Sequence, residues 1–178
     1  MLLHSRAGPG ELTQVAVNKL AEEALNLAYH GARAEVQGFN VTLEMDLDQE
    51  AGMIEVVAQD LSRVLLNVIG NGLDATHQRA GAAAANGEDG YQPTLSLRTR
   101  DLGGEIEIRI RDNGTGMPDE VAAKIFTPFF TTKPPGQGTG LGLSISHDIV
   151  VKQHGGQFDV ESNEGEYTEF RIVLPRSA

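Results

Sequence analysis

Two glycine-rich segments, Asp112-Asn-Gly-Thr-Gly-Met117 and Gly136-Gln-Gly-Thr-Gly-Leu-Gly-Leu143, interrupt a chain that otherwise has the patterns of regular strands and helices. Glycine allows close approach of the backbone to a ligand and adopts positive φ without strain. A glycine loop that opens a helix also presents free N–H groups and the positive end of the helix dipole, which suits phosphate. The two segments therefore predict a nucleotide site, with the acidic loop at the base and the glycine loop at the phosphates.

Composition narrows the class of protein. A chain of 178 residues with 40% hydrophobic and 22% charged residues is typical of one soluble globular domain. It contains no cysteine, which excludes disulfides and thiolate metal sites. No segment approaches the ~18 consecutive apolar residues of a membrane span, and the N-terminal apolar run is too short for a signal peptide. The net charge of −11 argues against non-specific binding to nucleic acid or anionic membranes, so an anionic nucleotide needs local positive features.

The hydrophobic pattern predicts an α+β fold. Helical spacing covers residues 11–30, 58–77 and 140–153, and Pro118 can open a short further helix. Alternation predicts strands over 41–47, 53–57, 95–97, 106–110, around Phe158 and around Phe170. We expect 53–57 to pair with 41–47, the glycines at 103–104 to form a hairpin turn, and 80–92 to be a loop. Hairpins mixed with separate helices indicate helices on one face of a mostly antiparallel sheet.

Three polar residues of the 58–77 helix, Asn67, Asn71 and Asp74, lie on one stripe at i, i+4 and i+7. Asparagine amide oxygens suit Mg²⁺ that is held jointly by protein, water and phosphates. A solvated polar face of an amphipathic helix gives the same spacing. Gly70 and Gly72 flank Asn71, and each costs the helix ~1 kcal/mol relative to alanine. Those glycines predict that another group approaches the helix closely there.

Asp112 and Lys133 are the candidate ligands for the two ends of a nucleotide. Asp112 follows a strand, where its carboxylate could accept a hydrogen bond from the exocyclic amino group of adenine; an ordinary Asp-Asn-Gly turn is the alternative. Lys133 precedes the second glycine loop and is either a phosphate partner or a solvated loop lysine. Between them, Phe126, Phe129 and Phe130 are predicted to pack and to anchor a lid.

The five histidines have no metal-ligand spacing with one another or with a carboxylate cluster. We interpret all of them as structural or surface residues: His4, His30, His77, His147 and His154.

Taken in order, the segments resemble the catalytic ATP-binding domain of bacterial sensor histidine kinases, a branch of the GHKL ATPase superfamily. Four segments carry the resemblance: 65–75 looks like the N box, 112–117 like the G1 box, 125–133 like the F box and 138–143 like the G2 box. The resemblance runs from about Glu11 to the end of the chain. It implies a two-layer α/β sandwich of the Bergerat type, with a mixed, mostly antiparallel sheet and helices packed on one face. The sequence departs from the family at Gly72, where alanine is usual, and at Tyr167, where glycine is usual.

The resemblance implies ATP and Mg²⁺ as cofactors and assigns roles by position. Asn71 would coordinate the Mg²⁺ that bridges the phosphates, with Asn67 assisting, and Asn71 and Lys133 would be the catalytic residues. Asp112 would bind the adenine amino group, with Gly114 and Gly116 shaping that wall and Thr168 supporting it. The phosphates would be held by Lys133 and by the loop of Gly138, Thr139, Gly140, Leu141, Gly142 and Leu143.

Position 67 helps to separate branches of the superfamily. The gyrase, MutL and heat-shock chaperone branches carry a glutamate there as the general base for water, whereas asparagine cannot abstract a proton. Asn67 therefore favours phosphoryl transfer to a histidine supplied by another domain, with catalysis resting on positioning and charge neutralisation. A GHKL-type ATPase or chaperone module and a non-catalytic nucleotide-binding module are the alternatives.

The resemblance also implies an incomplete kinase. Residues 1–10 resemble the end of the helical dimerisation and phosphoacceptor domain or a linker, and 11–178 form the ATP-binding catalytic domain. The expected partners are that upstream domain and, indirectly, the receiver domain of a response regulator, without nucleic acid or direct membrane contact. We expect the isolated domain to be monomeric and to face the cytoplasm, whether or not the parent protein is anchored in a membrane.

Overall fold

The computed structural model describes residues 10–134 and 140–177. In these ranges the strands are Thr13–Ala16 (β1), Thr42–Asp46 (β2), Met53–Val56 (β3), Thr94–Asp101 (β4), Glu105–Asp112 (β5), Gln157–Asn163 (β6) and Tyr167–Pro175 (β7). The α-helices are Val17–Glu35 (α1), Ala58–Ala85 (α2), Asp119–Ala122 (α3) and Gly142–Asp148 (α4). A 3₁₀ turn spans Gln49–Ala51, and α4 continues without a break as a π-helix over Ile149–Gln153.

The main sheet has five strands in the order β2-β4-β5-β7-β6. Only the β2–β4 pair is parallel among the strands described, and the remaining pairs are antiparallel. The alternating isoleucines of β5 direct Ile106, Ile108 and Ile110 into the core, where Leu65 and Ile69 of α2 are fully buried. Each such side chain contributes about 1.5–3 kcal/mol through its removal from water. The predicted fold, helices on one face of a mostly antiparallel sheet, is confirmed.

Charged side chains cover the opposite face of the sheet, where no helix packs in the described ranges. Arg109 of β5 bridges Glu107 and Glu169, at 2.9 Å to each carboxylate. Arg171 of β7 also reaches Glu107, at 2.6 Å. The period of two in β5 therefore separates an apolar core face from an ion-paired outer face.

The N-terminal elements differ from the sequence prediction. The predicted helix over 11–30 starts too early, because residues 13–16 form β1 and α1 begins at Val17. β3 pairs antiparallel with β1, and its predicted pairing with the 41–47 strand is wrong. β2 instead joins the main sheet beside β4, in parallel. The alternation of a four-residue strand shows that it has a buried face but does not identify its neighbour.

The central helix is longer than predicted. α2 runs to Ala85, so the predicted loop over 80–92 begins only after that residue. Four consecutive alanines, at positions 82–85, support the extra turns because alanine has the highest helix propensity. Among residues 10–134 and 140–177, no helix combines the length and the apolar character that crossing a membrane requires.

Candidate functional site

A cavity of about 320 Å³ lies between α2, the adjoining ends of β5 and β7, the segment 125–133 and the start of α4. Its walls include most of the predicted site residues: Asn67, Asn71, Asp112, Gly116, Lys133, Gly140, Gly142, Leu143 and Thr168. Gly114 and Leu141 do not line it. Gly138 and Thr139 lie outside the described residues. The structure thus brings together residues that are far apart in the sequence.

Asp112 and Thr168 form one end of the cavity. They are direct register partners in the β5–β7 pair, and both are buried. One carboxylate oxygen of Asp112 accepts a 2.9 Å hydrogen bond from the Gly114 N–H, and the Thr168 hydroxyl lies 2.8 Å from that of Ser162. Burial raises the pKa of Asp112 to about 7, against the opposing effects of the Gly114 N–H and of Arg111.

The glycines after Asp112 allow the loop to pack against protein. A Cβ at Gly114 would lie 2.5 Å from the carbonyl carbon of Ala75 in α2. At Gly116, where φ is +64°, it would lie 2.2 Å from the carbonyl oxygen of Asn163. These two glycines therefore seat the Asp112 loop between α2 and the β6–β7 turn. That role differs from the close approach to a ligand that glycine-rich loops suggest.

The predicted close approach to α2 is confirmed at one of its two glycines. A Cβ at Gly72 would lie 2.8 Å from a methyl carbon of Leu95 and 3.4 Å from a carboxylate oxygen of Asp112. At Gly70 no described atom would lie within 4 Å of it. Gly72 thus lets α2 lie close against the end of the sheet that carries Asp112.

Asn67 and Asn71 both line the cavity, but their amides have different partners. The Asn67 amide donates to the Ser146 hydroxyl of α4 at 3.3 Å, and a Cβ at Gly142 would lie 2.5 Å from its oxygen. The half-buried Asn71 amide has no hydrogen bond to another described residue. Asn67 is therefore tied to α4, whereas Asn71 is free to bind a ligand in the cavity.

Protein groups alone do not form a metal cage here. The described residues contain no group of three histidine or carboxylate side chains placed to hold an ion. The amide oxygens of Asn67 and Asn71 are hard ligands that suit Mg²⁺ when phosphates and water complete its coordination. The donor set therefore fits a magnesium ion that arrives with a nucleotide.

Lys133 is paired with a residue that the sequence analysis did not assign to the site. Its ammonium lies 2.9 Å from a carboxylate oxygen of Asp74. Asp74 shares the polar stripe of Asn67 and Asn71 and lines the cavity with them. Nothing in the sequence indicated that Lys133 would be its partner.

The three phenylalanines near the cavity have different environments. Phe126 packs on Phe158 and Phe170, with ring centroids at 4.8 and 6.3 Å. Phe130 lines the cavity. The predicted packing of Phe129 is wrong: its side chain is 74% exposed and its φ is +64°. Gly140 lies against its backbone, so closely that a Cβ there would be 2.4 Å from the Phe129 carbonyl carbon.

His154 has the structural role that the sequence analysis gave it. The buried imidazole accepts a hydrogen bond from the Val57 N–H at Nε2, at 3.1 Å. Its Nδ1 lies 2.8 Å from the carbonyl oxygen of Ile149, which makes Nδ1 the protonated nitrogen of a neutral ring. His154 thereby joins the start of α2 to the π-helix.

The cavity lies between a long helix and the end of a mostly antiparallel sheet, in a two-layer α/β sandwich. Residues 56–178 match the family described as histidine kinase-, DNA gyrase B-, and HSP90-like ATPase. The match covers more than half of the chain, which belongs to this family of ATP-binding domains.

Relatives show which branch of the family is most similar. The chain is 33% identical over 168 residues to sensor protein FixL of Bradyrhizobium diazoefficiens, covering 94% of this chain and 30% of FixL. It is 31% identical over 164 residues to sensor histidine kinase ZraS of Escherichia coli, covering 92% of this chain and 31% of ZraS. The chain thus spans about a third of these relatives, and it corresponds to the ATP-binding catalytic domain of sensor histidine kinases.

Solved structures agree with this assignment. The catalytic domain of histidine kinase ThkA, in a nucleotide-free form, is 29% identical with a TM-score of 0.75, over 94% of this chain and 97% of that one. ThkA in complex with the response regulator protein TrrA is 25% identical with a TM-score of 0.70, over 93% of this chain and 42% of that one. The resemblance identified in the sequence is confirmed.

Proposed function

We propose that this domain binds ATP with Mg²⁺ in the cavity and presents the γ-phosphate to a histidine on a separate dimerisation domain. The observation that carries the proposal is the state of position 67. The Asn67 amide cannot take a proton from water, and its hydrogen bond to Ser146 ties it to α4. ATP held in such a site is kept for an acceptor that another domain supplies.

The remaining carboxylates of the cavity support the same conclusion. In the described part of its wall they are Asp74 and Asp112. Asp74 is paired with Lys133, and Asp112 accepts the Gly114 N–H at the buried end. Asp74, one turn from Asn71, is thus engaged by Lys133, and Asp112 is engaged by Gly114. Neither is a free general base, so we expect hydrolysis of ATP to be slow.

We assign the base of the nucleotide to the Asp112 end. The Gly114 N–H occupies one oxygen of the carboxylate, which leaves the second oxygen for the adenine amino group. The Thr168 hydroxyl stands opposite on β7 and can support the same edge of the base, directly or through water. Asp112→Asn should weaken ATP binding, because an amide is a poorer acceptor than a carboxylate. Unchanged ATP affinity in calorimetry would refute this assignment.

We assign the phosphates to the opposite end. Lys133 supplies the positive charge, and the N–H groups of the glycine loop that ends at Leu143 supply hydrogen bonds where α4 begins. Gly138 and Thr139 belong to the same proposed loop. Asn71, with Asn67 beside it, would hold the Mg²⁺ that accompanies the nucleotide, and the bound ion would supply neutralisation of negative charge. The residues of the chain would orient the γ-phosphoryl group for transfer.

The proposed partners are a helical dimerisation domain that carries the phosphoacceptor histidine and, through it, the receiver domain of a response regulator. The solved complex of histidine kinase ThkA with the response regulator protein TrrA supports the response regulator as a partner. We also propose that residues 1–10, of which 1–9 lie outside the described residues, form the end of that helical domain or a linker. The domain would act in the cytoplasm, and in isolation it would be a monomer.

Phosphotransfer from γ-labelled ATP tests the proposal. The domain is mixed with the helical domain of its parent kinase, and label on that domain is measured beside release of free phosphate. We expect label on the acceptor histidine and little free phosphate when the acceptor is absent. In Asn71→Ala, we expect neither labelling of the histidine nor release of phosphate. Rapid release of phosphate without an acceptor would favour a GHKL-type ATPase. ATP binding with neither reaction would favour a non-catalytic module.

A further inference from the structure

Arg79 of α2 lies outside the cavity wall but contacts two loops that shape it. Its Nη1 donates to the carbonyl oxygen of Asn113 at 2.8 Å and approaches those of Glu166 and Gly114 at 3.2 and 3.4 Å. Asn113 and Gly114 follow Asp112 directly, and Glu166 lies in the β6–β7 turn just before Thr168. One half-buried guanidinium thus joins α2 to both loops at the Asp112 end.

The charge of Arg79 is satisfied in an unusual way for so acidic a chain. Within the described ranges it forms no ion pair with a carboxylate, and its partners are backbone carbonyls and the ring of Tyr91, 4.5 Å from the guanidinium carbon. All three carbonyl contacts are made by one nitrogen, Nη1, and the carbonyl of Asn113 at 2.8 Å is the closest acceptor. The positive charge is therefore compensated by backbone dipoles and by the tyrosine ring.

Tyr91 holds the same carbonyl oxygen from another side. Its hydroxyl donates to the Asn113 carbonyl at 2.9 Å. Burial raises the pKa of Tyr91 to about 12, so the hydroxyl remains a donor at neutral pH. The Asn113 side chain accepts from the Thr94 N–H and donates to the Gln92 carbonyl, both at 2.8 Å. The Asn113 carbonyl is therefore fixed from two directions.

The Asn113–Gly114 peptide connects these contacts to Asp112. Its carbonyl accepts from Arg79 and Tyr91, and its N–H donates to the Asp112 carboxylate at 2.9 Å. A peptide unit is planar, so fixing the direction of its carbonyl fixes the direction of its N–H. The orientation of the Asp112 carboxylate, and of the oxygen that it presents to the cavity, therefore follows from Arg79 and Tyr91.

We infer that Arg79, together with Tyr91, is a positioning residue for recognition of the nucleotide base: it orients the Asn113–Gly114 peptide, whose N–H sets the Asp112 carboxylate against the exocyclic amino group of a purine. The inference rests on the proposed function, because it requires ATP in the cavity with adenine at Asp112. It assigns specificity for the base to a side chain that touches neither the nucleotide nor the cavity.

Comparing two nucleotides separates positioning of Asp112 from a general structural role. The probes are ATP and purine riboside triphosphate, which has hydrogen in place of the 6-amino group, and binding is measured by calorimetry. We expect Arg79→Met to weaken ATP binding by about tenfold, because that is the cost of losing one well-made hydrogen bond. The affinity for the analogue should change by less than about twofold. Arg63→Met, at an exposed arginine of the same helix, is the matched control and should change neither affinity.

The inference would be overturned if Arg79→Met weakened the binding of both nucleotides equally, or if it changed neither affinity. Tyr91→Phe keeps the ring under the guanidinium and removes only the hydroxyl, so it decides the question if Arg79→Met does not fold; a smaller loss confined to ATP is expected there. The proposed function has its own readout in the same experiment. If wild type does not prefer ATP to the analogue, or if Asp112→Asn keeps that preference, adenine is not read by Asp112, whatever Arg79 does.

Discussion

The ammonium of Lys133 lies 2.9 Å from a carboxylate oxygen of Asp74, and both residues line the cavity. Lys133 is the cationic side chain in the described part of the cavity wall, so the nucleotide phosphates must share it with Asp74 or displace Asp74. The side chain of Asp74 is 58% exposed, and such a pair contributes at most about 1 kcal/mol.

Asp74→Asn should therefore tighten ATP binding. The substitution frees Lys133 and removes a negative charge that repels the phosphates, and we expect about a two- to fivefold gain that shrinks as salt is added. Calorimetry at two ionic strengths measures it. Glu22→Gln removes the same charge from the exposed face of α1 and is the control. Weaker binding in Asp74→Asn would indicate that Asp74 binds the metal ion instead of competing with the phosphates.

Asp112 should make the stability of the nucleotide-free domain depend on pH. Its pKa is about 7 in the folded state and close to 3.8 in the unfolded chain, so the unfolded state ionises first as the pH rises. Asp112 therefore costs stability progressively from about pH 4 to pH 7, and the cost is constant above that.

Asp112→Asn removes this titration. At ~1.4 kcal/mol for each unit of pKa, we expect the stability of the variant relative to wild type to be about 2–3 kcal/mol greater at pH 8 than at pH 5. Urea unfolding at both pH values gives the difference, and Asp119→Asn at an exposed site is the control. A difference that does not change with pH would contradict the effect of burial.

Asn71→Ala should remove the contribution of magnesium to ATP binding. Asn71 has no hydrogen bond to another described residue, so the substitution leaves no protein partner unsatisfied. We expect the affinity in EDTA to stay within about twofold of wild type, while most of the gain on adding Mg²⁺ is lost. Asn40→Ala, at an exposed asparagine, is the control. An unchanged response to Mg²⁺ would exclude Asn71 as a ligand.

Alanine at Gly70 and alanine at Gly72 should have different effects on stability. Gly70→Ala fills open space in a helix and should stabilise the domain by about 0.5–1 kcal/mol. Gly72→Ala gains the same helix propensity, but its added methyl group would press on Leu95 and reach Asp112. The free energy of unfolding of Gly72→Ala should therefore be at least about 1 kcal/mol lower than that of Gly70→Ala. Thermal and urea unfolding of the two variants test this, and equal stabilisation would show that Leu95 moves away freely.

His154→Ala should destabilise the domain by about 1–3 kcal/mol, because it leaves the buried Val57 N–H without an acceptor. His30→Ala, at an exposed histidine of α1, should change the free energy of unfolding by less than about 0.5 kcal/mol. Urea unfolding at neutral pH compares them. Equal effects of the two substitutions would mean that the contact with Val57 contributes nothing.

The sequence predicted the parts of the fold that depend on local pattern. Strict alternation located β5 and the hairpin to β4, and helical spacing located the first five turns of α2. The partner of β3 could not be predicted, because a four-residue strand shows a buried face and no neighbour. Prediction also failed at Phe129, since composition indicates packing whereas the backbone that passes Gly140 holds this residue at positive φ.

The site was predicted in outline by the order of its motifs and not by spacing alone. Asp112 and Thr168 were assigned together only through the family resemblance, because their proximity arises from the pairing of β5 with β7. The pairing of Asp74 with Lys133 and the contacts of Arg79 follow from tertiary packing, which no local pattern indicates. The hydrogen bond between Asn67 and Ser146 could not be predicted from the sequence for the same reason.

The direct pairing of Asp112 with Thr168 has a consequence for folding. Neighbouring side chains of a strand point to opposite faces, so a one-residue slip of β7 along β5 would turn Thr168 away from Asp112. Because β5 and β7 are far apart in the chain, we expect them to join late, after local helices and hairpins have formed. During refolding, the ability to retain a fluorescent ATP analogue would therefore emerge only when these strands have joined correctly, and the nucleotide would report completion of the sheet.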